Sequence, residues 1–257
     1  MKKPWRIIKF GGGCMANNEE IVAVVKRIIE EIKQDIEHSF VFVFSAMGKM
    51  TNSLENLAFL NGGDESELLK LKDSIVAEGE LYSTTLIGTL LETQSVPFVC
   101  IDAMEIIKTD ANFGEANVDL EKTRQKINDV FNQRFGDQRI FITQGFIGST
   151  ASGETTTLGR EGSDYTAALL GLCLGAESVE LAKKEGGIFE HHPDEVSIGE
   201  NNKLIKKMTF VDLEKKINDD PSFKAVHKKV VQSLSGSGIS LIISHPYTGE
   251  VGTIIKD

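Results

Sequence analysis

The run Phe40-Val41-Phe42-Val43-Phe44 is the feature that most restricts how this chain folds. A strand that is apolar on both faces must be covered on both faces, the situation of a central strand in a parallel sheet with helices above and below. The run ends at Ser45-Ala46-Met47-Gly48, a small-residue turn. Arg6 to Phe10 repeats the arrangement: a short apolar strand enters Gly11-Gly12-Gly13, and Asn17 or Asn18, with glutamates behind it, marks a helix start. Ile21, Val24, Val25, Ile28, Ile29 and Ile32 then recur at helical spacing.

The alternation continues along the chain. Leu68 to Leu91 reads as a long helix, Pro97 to Asp102 as a buried strand, Leu120 to Phe135 as a helix, and Arg139 to Gly145 as a strand feeding the loop Phe146 to Gly153. Ser163 to Leu174 reads as a small-residue helix. Val179 to Ala182 and Leu241 to Ser244 are strands separated by a polar helical region from Val211 to Leu234, and Gly252 to Ile255 is a last strand. This order predicts an α/β fold, a three-layer α/β/α sandwich with a mainly parallel central sheet. No repeat, low-complexity tract or linker breaks it, so residues 1–257 are expected to form a single domain. Its two lobes would be about 1–150 and about 151–257, meeting near the loops from Gly145 to Gly162.

A chain of 257 residues has enough apolar surface for a core without staples. Cys14, Cys100 and Cys173 are odd in number, far apart and without a CxxC pair, so they read as reduced thiols rather than a disulfide framework or a zinc site. The N-terminal segment reaches Gly11 before an apolar signal region can form, and no later apolar run is long enough to span a bilayer. A cytoplasmic location without membrane contact is expected. The net charge of −10 argues against nucleic acid as a partner, because backbone phosphates require a basic face. A small anionic ligand is compatible with it, since a few lysines and backbone amides in a concavity create a local positive field.

Ligands of open parallel sheets bind beyond the carboxyl ends of the strands. The loop Lys9-Phe10-Gly11-Gly12-Gly13 lies there. Its glycines let backbone N–H groups approach phosphate oxygens, the helix that follows adds its dipole, and Lys9 supplies a point charge. It is neither a Walker loop nor a GxGxxG fingerprint, and a plain strand-ending turn is the competing reading. The second loop is Leu158-Gly159-Arg160-Glu161-Gly162-Ser163-Asp164, where Arg160 suits bidentate capture of a carboxylate and Asp164 could hold lysines in position. Against this, Ser163 would be a helix N-cap and Asp164 a dipole partner in the first turn. His191-His192 is not expected to bind a metal, because adjacent side chains rarely converge on one ion and no third ligand is evident.

In order along the chain stand Lys9-Phe10-Gly11-Gly12, Ser45-Ala46-Met47-Gly48 with Thr51-Asn52, Gly79-Glu80, and Thr109-Asp110 with Phe113-Gly114 and Ala116. After them come Thr143-Gln144-Gly145-Phe146-Ile147-Gly148 and Thr156-Thr157-Leu158-Gly159-Arg160 with Gly162-Ser163-Asp164-Tyr165. This series, over residues 5 to about 175, resembles the catalytic domain of the aspartate kinases, members of the amino acid kinase family. The resemblance implies an amino-acid-kinase-like fold and ATP-dependent phosphorylation of the aspartate β-carboxylate to an acyl phosphate, with ATP and Mg2+ as cofactors and a place in amino-acid biosynthesis. It implies that Lys9 stabilises the transferring phosphoryl group, that Gly11 and Gly12 support it through backbone donors, and that Asp164 positions the active-site lysines. Glu80 and Arg160 would hold the amino and carboxylate ends of the substrate, with Gly13, Ser45 and Ser163 beside them. Lys229, in Lys229-Val230-Val231, takes the place of a later lysine near the nucleotide phosphates. Glu80 in a long helix, and Lys229 after His227-Lys228, would by composition alone be solvated side chains. The expected partners are an amino-acid substrate and a nucleotide, with a homodimer as the assembly to test.

The chain departs from the aspartate kinase pattern in two places. Where the pattern has Thr-Ser after the first glycine pair, this chain has Gly13-Cys14, and loss of two substrate-facing hydroxyls is expected, at about 1–3 kcal/mol for each polar group left without a partner. Where the pattern has Trp-Thr-Asp-Val-Asp-Gly, then Tyr and an Ala-Asp-Pro turn, this chain reads Ala182-Lys183-Lys184-Glu185-Gly186-Gly187, then Phe189 and His191-His192-Pro193. Gly187 and Pro193 keep the backbone pattern, while Lys183 and Lys184 would meet phosphates in a different nucleotide pose. Gln232-Ser233 stands where His-Pro would follow the later lysine. The alternative function is a catalytically weak or inactive kinase-fold binding or regulatory protein with an altered nucleotide site. Many aspartate kinases continue into regulatory ACT domains, whereas this sequence stops at Asp257, so no feedback inhibition by lysine or threonine is expected.

Overall fold

The computed structural model describes residues 3–58, 65–190, 202–220, 223 and 225–257. Its strands are β1 (Trp5–Phe10), β2 (Ser39–Phe44), β3 (Val99–Ile101), β4 (Ile140–Gln144), β5 (Ile147–Ser149), β6 (Thr155–Thr157), β7 (Ser178–Ala182), β8 (Ile188–Phe189), β9 (Leu204–Ile205), β10 (Lys207–Met208), β11 (Ser240–Ser244) and β12 (Val251–Ile255). Its helices are α1 (Asn18–Gln34), α2 (Met50–Ala58), α3 (Glu65–Thr93), α4 (Ala103–Ile106), α5 (Leu120–Asn128), α6 (Gly162–Leu174), α7 (Phe210–Asp219) and α8 (Lys228–Leu234). Eight strands form one sheet in the order β10-β12-β11-β7-β1-β2-β4-β3. Every pair is parallel except β11 with β12.

The Phe40–Phe44 run is the centre of this arrangement, and all six residues of β2 are buried. Side chains alternate between the faces. Phe40, Phe42 and Phe44 join Ile8 and Phe10 under α1 and α3, through Ile21, Val24, Ile28, Ile87 and Leu91. Val41 and Val43 join Trp5, Ile7, Val179 and Leu181 under α5, α6 and α8. The chain is the three-layer sandwich that the alternation predicts, with one continuous sheet running through both halves of the sequence. Two expected elements divide. The region Val211 to Leu234 becomes α7 and α8, and the helix read as Leu120 to Phe135 passes from α5 into a π-helical turn at Asp129–Arg134.

The amino ends of β1, β2 and β7 carry a charge cluster. His38 lies 2.8 Å from Asp35 and 3.0 Å from Glu177, and Asp35 also accepts from Arg6 at 2.9 Å. Partial burial opposes protonation of His38, but Glu177 and Asp35 outweigh it and raise its pKa above the ordinary 6.5. A histidine whose pKa rises on folding stabilises the fold below its unfolded pKa and loses that contribution as pH rises through the folded value. The chain is therefore expected to melt at a lower temperature as pH rises from about 6 to about 8, and His38→Gln is expected to flatten that slope. Differential scanning fluorimetry of both forms checks it.

Candidate active site

The period of the strands brings the charged groups together. Lys9 follows Trp5 and Ile7 on one face of β1, and Lys183 follows Val179 and Leu181 on the same face of neighbouring β7, each at its strand's carboxyl end. Both therefore face α6, whose first turn presents Asp164. Lys9 Nζ lies 2.5 Å from Asp164 Oδ1 and Lys183 Nζ lies 2.9 Å from Oδ2. Asp164 is 1% exposed. Burial alone would favour its protonated form, but Lys183 and Lys9 outweigh that cost and hold its carboxyl far below the ordinary carboxylate range. Burial likewise opposes the charge on Lys183, and Asp164 with Glu161 restores it, leaving the ammonium's pKa raised. A cavity of about 580 Å³ opens over this trio.

The glycine loop forms the adjoining wall. Gly12 packs so closely against the second turn that a Cβ there would stand 2.2 Å from the Ala46 carbonyl oxygen, and the Gly48 N–H donates to the Gly12 carbonyl at 2.9 Å. A Cβ at Gly11 would lie 3.4 Å from Lys9 Nζ, whereas one at Gly13 would meet nothing within 4 Å. Gly13 faces the cavity, but Cys14 does not. Cys14 is buried, and its thiol donates to the Ala182 carbonyl at 3.4 Å. Of the two positions where loss of a substrate-facing hydroxyl is expected, only Gly13 faces the cavity. The Gly12–Met15 turn is a 3-10 helix that points residue 14 into the protein, so a hydroxyl there would not reach the cavity.

Helix α3 supplies the third wall. Glu80 is 2% exposed, not solvated as its composition suggests; its Oε1 accepts from the Ala46 N–H at 3.1 Å and its Oε2 has no partner. Burial pushes the Glu80 carboxyl up to about 7, with the Ala46 N–H and Lys9 opposing more weakly. Ser45, Ser163 and the exposed Arg160 complete the lining, so Lys9, Gly12, Gly13, Ser45, Glu80, Arg160, Ser163, Asp164 and Lys183 share one cavity. Ser163 is not the helix cap. Glu161 occupies that place at φ 57, with no side-chain cap, and Ser163 is buried against Gly145, whose Cβ would be 2.5 Å from that of Ser163.

Sequence reasoning missed Asp73, which is 1% exposed at the cavity wall. It accepts from the Gly114 N–H and Thr157 N–H, each at 2.9 Å, and from the Thr157 hydroxyl at 2.7 Å, so it ties α3 to the Gly114 turn and to the end of β6 that leads into Arg160. Burial raises its pKa against those three donors. A signal for it existed: Asp73, Val76, Ala77, Glu80, Ser83, Thr84, Ile87 and Leu91 are one buried helical stripe.

Other expected nucleotide contacts stand away from this wall. Lys184 pairs at 2.6 Å with Glu20, in the first turn of α1. Lys229 Nζ lies 3.4 Å from both Glu115 Oε1 and the Leu158 carbonyl, and 5.8 Å from the Tyr165 ring centroid. Gly187 packs against β12, where a Cβ would be 2.3 Å from Leu204 Cδ1 and 3.3 Å from Gly252 Cα. Pro193, like His191 and His192, lies outside the described residues.

The sequence profile of the amino acid kinase family matches residues 4–245. The chain belongs to the amino acid kinase family. It is 29% identical over 253 residues to the aspartokinase of Geobacillus stearothermophilus, covering 97% of this chain and 58% of that protein. It is 37% identical over 142 residues to lysine-sensitive aspartokinase 3 of Escherichia coli strain K12, covering 55% of this chain and 31% of that one. Escherichia coli aspartokinase III, solved in complex with aspartate and ADP, matches with a TM-score of 0.83 at 26% identity, covering 98% of this chain and 65% of the other. This amino acid kinase chain thus spans less than two thirds of the length of each of these relatives. Among its described residues no helix is long and apolar enough to cross a membrane.

Proposed function

We propose that this chain phosphorylates the side-chain carboxylate of aspartate, or of a closely related small carboxylate, with ATP as donor. The observation that carries the reading is the convergence of Lys9, Asp164, Glu80 and Arg160 on one cavity at the strands' carboxyl ends. An acceptor amino group meets the unpartnered Oε2 of Glu80, its α-carboxylate meets the Arg160 guanidinium, and its side-chain carboxylate lies toward Lys9. A carboxylate oxygen then bonds to the γ-phosphorus as the bond to the bridging oxygen breaks, and ADP leaves with that electron pair. No protein nucleophile is needed, because positioning and charge neutralisation supply most of the catalysis. The amino acid kinase relative solved with aspartate and ADP supports this choice of ligands.

Magnesium fits the cavity as an ion carried in by the nucleotide. Both Asp164 oxygens are taken by lysines, and among the described residues no three His, Cys, Asp or Glu side chains converge as a cage. The unpartnered Oε2 of Glu161, at the cavity wall, would accept a hydrogen bond from water on such an ion. When bound, the ion neutralises charge on the phosphates.

The lobes expected at about 1–150 and about 151–257 share this labour, with Lys9 and Glu80 on the first and Arg160, Asp164 and Lys183 on the second. ADP release with MgATP and a panel of aspartate, glutamate, N-acetylglutamate and carbamate tests the reading. Turnover with aspartate above the others is expected, and nucleotide binding without turnover on any acceptor would favour the inactive alternative.

The Glu80 carboxyl near 7 adds a pH signature. Only its ionised form attracts an ammonium, so KM for aspartate is expected to rise about tenfold for each unit that pH falls below about 7. Glu80→Gln should give a high KM that varies little with pH over that range; initial-rate kinetics across pH compare the two.

A further inference from the structure

The aspartate kinase pattern places a threonine where this chain has Lys183, and assigns the later phosphate-facing lysine to the place of Lys229. The geometry here is different. Lys183 lines the cavity on the face that Asp164 occupies, while Lys229 is absent from the cavity wall and is held by Glu115, the Leu158 carbonyl and the Tyr165 ring. We infer that Lys183 is a second catalytic cation of this chain, meeting the phosphoryl group in flight beside Lys9. The inference rests on the phosphotransfer reading above and adds a residue and a place to it.

Three observations carry it. Lys9 and Lys183 project from adjacent parallel strands, β1 and β7, and meet the two oxygens of one buried carboxylate, so both ammoniums are oriented before any ligand arrives. An ammonium has three N–H donors, and Asp164 takes one from each lysine, which leaves two on each for phosphoryl oxygens. The trio carries a net charge of +1, and the other lysine among the described residues of the cavity wall, Lys72, lies 3.0 Å from Glu55. A surplus positive charge at the strand ends suits the charge that spreads over the equatorial oxygens of a transferring phosphoryl group. Both lysines keep their protons throughout the step; only the phosphorus changes partner. The neighbours agree with a permanent cation, since Asp164 and Glu161 raise the Lys183 pKa against the cost of burial.

The experiment separates the outer phosphate from the rest of the nucleotide. Lys183→Ala, in the full chain, is expected to lower kcat by about 10²- to 10³-fold while KM for ATP rises only about tenfold, in step with the weaker binding of the outer phosphate. Ethylamine added to this variant should restore part of kcat, which a purely structural lysine would not allow. Lys229→Met, on the nucleotide side, should raise KM for ATP more than it lowers kcat. Lys183→Thr, the side chain of the pattern, serves if the alanine variant folds poorly.

A calorimetric arm needs no turnover: Lys183→Ala should weaken a non-hydrolysable ATP analogue about tenfold or more while leaving ADP unchanged. Equal weakening of both ligands, no weakening of either, a kcat effect confined to Lys229→Met, or failure of the wild type to bind the analogue would each overturn the role of Lys183. Selective loss of the analogue in a chain that phosphorylates no acceptor would keep only the contact of Lys183 with the outer phosphate, and would reject both its catalytic role and the phosphotransfer reading.

Discussion

Asp164→Ala is expected to cost this chain both its activity and several degrees of melting temperature. The substitution leaves the Lys9 and Lys183 ammoniums without the carboxylate they share at 2.5 and 2.9 Å. Removing one partner of a buried ion pair costs about 3–5 kcal/mol, and the open cavity, which admits water to both lysines, places this case at the lower end. A loss of about 3 kcal/mol corresponds to roughly 6–12 °C in a chain of this size. kcat should fall by at least about 10³-fold, because two oriented cations are released at once. Asp164→Asn keeps the shape and should melt closer to the wild type while remaining as slow. An asparagine variant with near-normal kcat would show that the carboxylate does not organise the lysines.

Gly12→Ala tests the other wall by steric means alone. An added methyl would stand 2.2 Å from the Ala46 carbonyl oxygen and 3.3 Å from that of Gly48, both backbone atoms, so the two strand-end loops must separate. Separation breaks the Gly48-to-Gly12 hydrogen bond and moves Lys9 relative to Glu80, which is held by the Ala46 N–H. A misplacement of about 1 Å costs about 10²-fold in rate, so kcat/KM should fall by that order. Gly13→Ala, one residue on and with nothing within 4 Å of the new methyl, should melt like the wild type. Equal losses of stability in the two variants would contradict the packing described for this loop.

The sheet was legible in the sequence because its strands are buried on both faces, so Phe40–Phe44 and Arg6–Phe10 carry their burial in composition alone. Lys9, Arg160 and Asp164 could be nominated from the sequence because they sit in the loops beyond strand ends where ligands of parallel sheets bind, although a helix-start aspartate also has a structural use. Glu80 and Asp73 differ. They lie on the buried stripe of a long helix, and what makes them acceptors is their depth beneath Ala46, Gly114 and Thr157, three contacts distant in sequence. Nor does local pattern disclose that Cys14 turns inward, since that depends on a 3-10 turn closed by the Cys14 N–H on the Gly11 carbonyl. The pairing of Lys183 with Asp164 required the parallel register of β1 and β7, which no single segment encodes.

Acyl phosphates react with hydroxylamine, so trapping the product as a hydroxamate is the most direct measurement of the central claim. Wild-type protein with MgATP and aspartate is predicted to yield hydroxamate in step with ADP, and Lys9→Ala to lower both by at least about 10²-fold. ADP formed without hydroxamate, or hydroxamate formed at the same rate by Lys9→Ala, would contradict it.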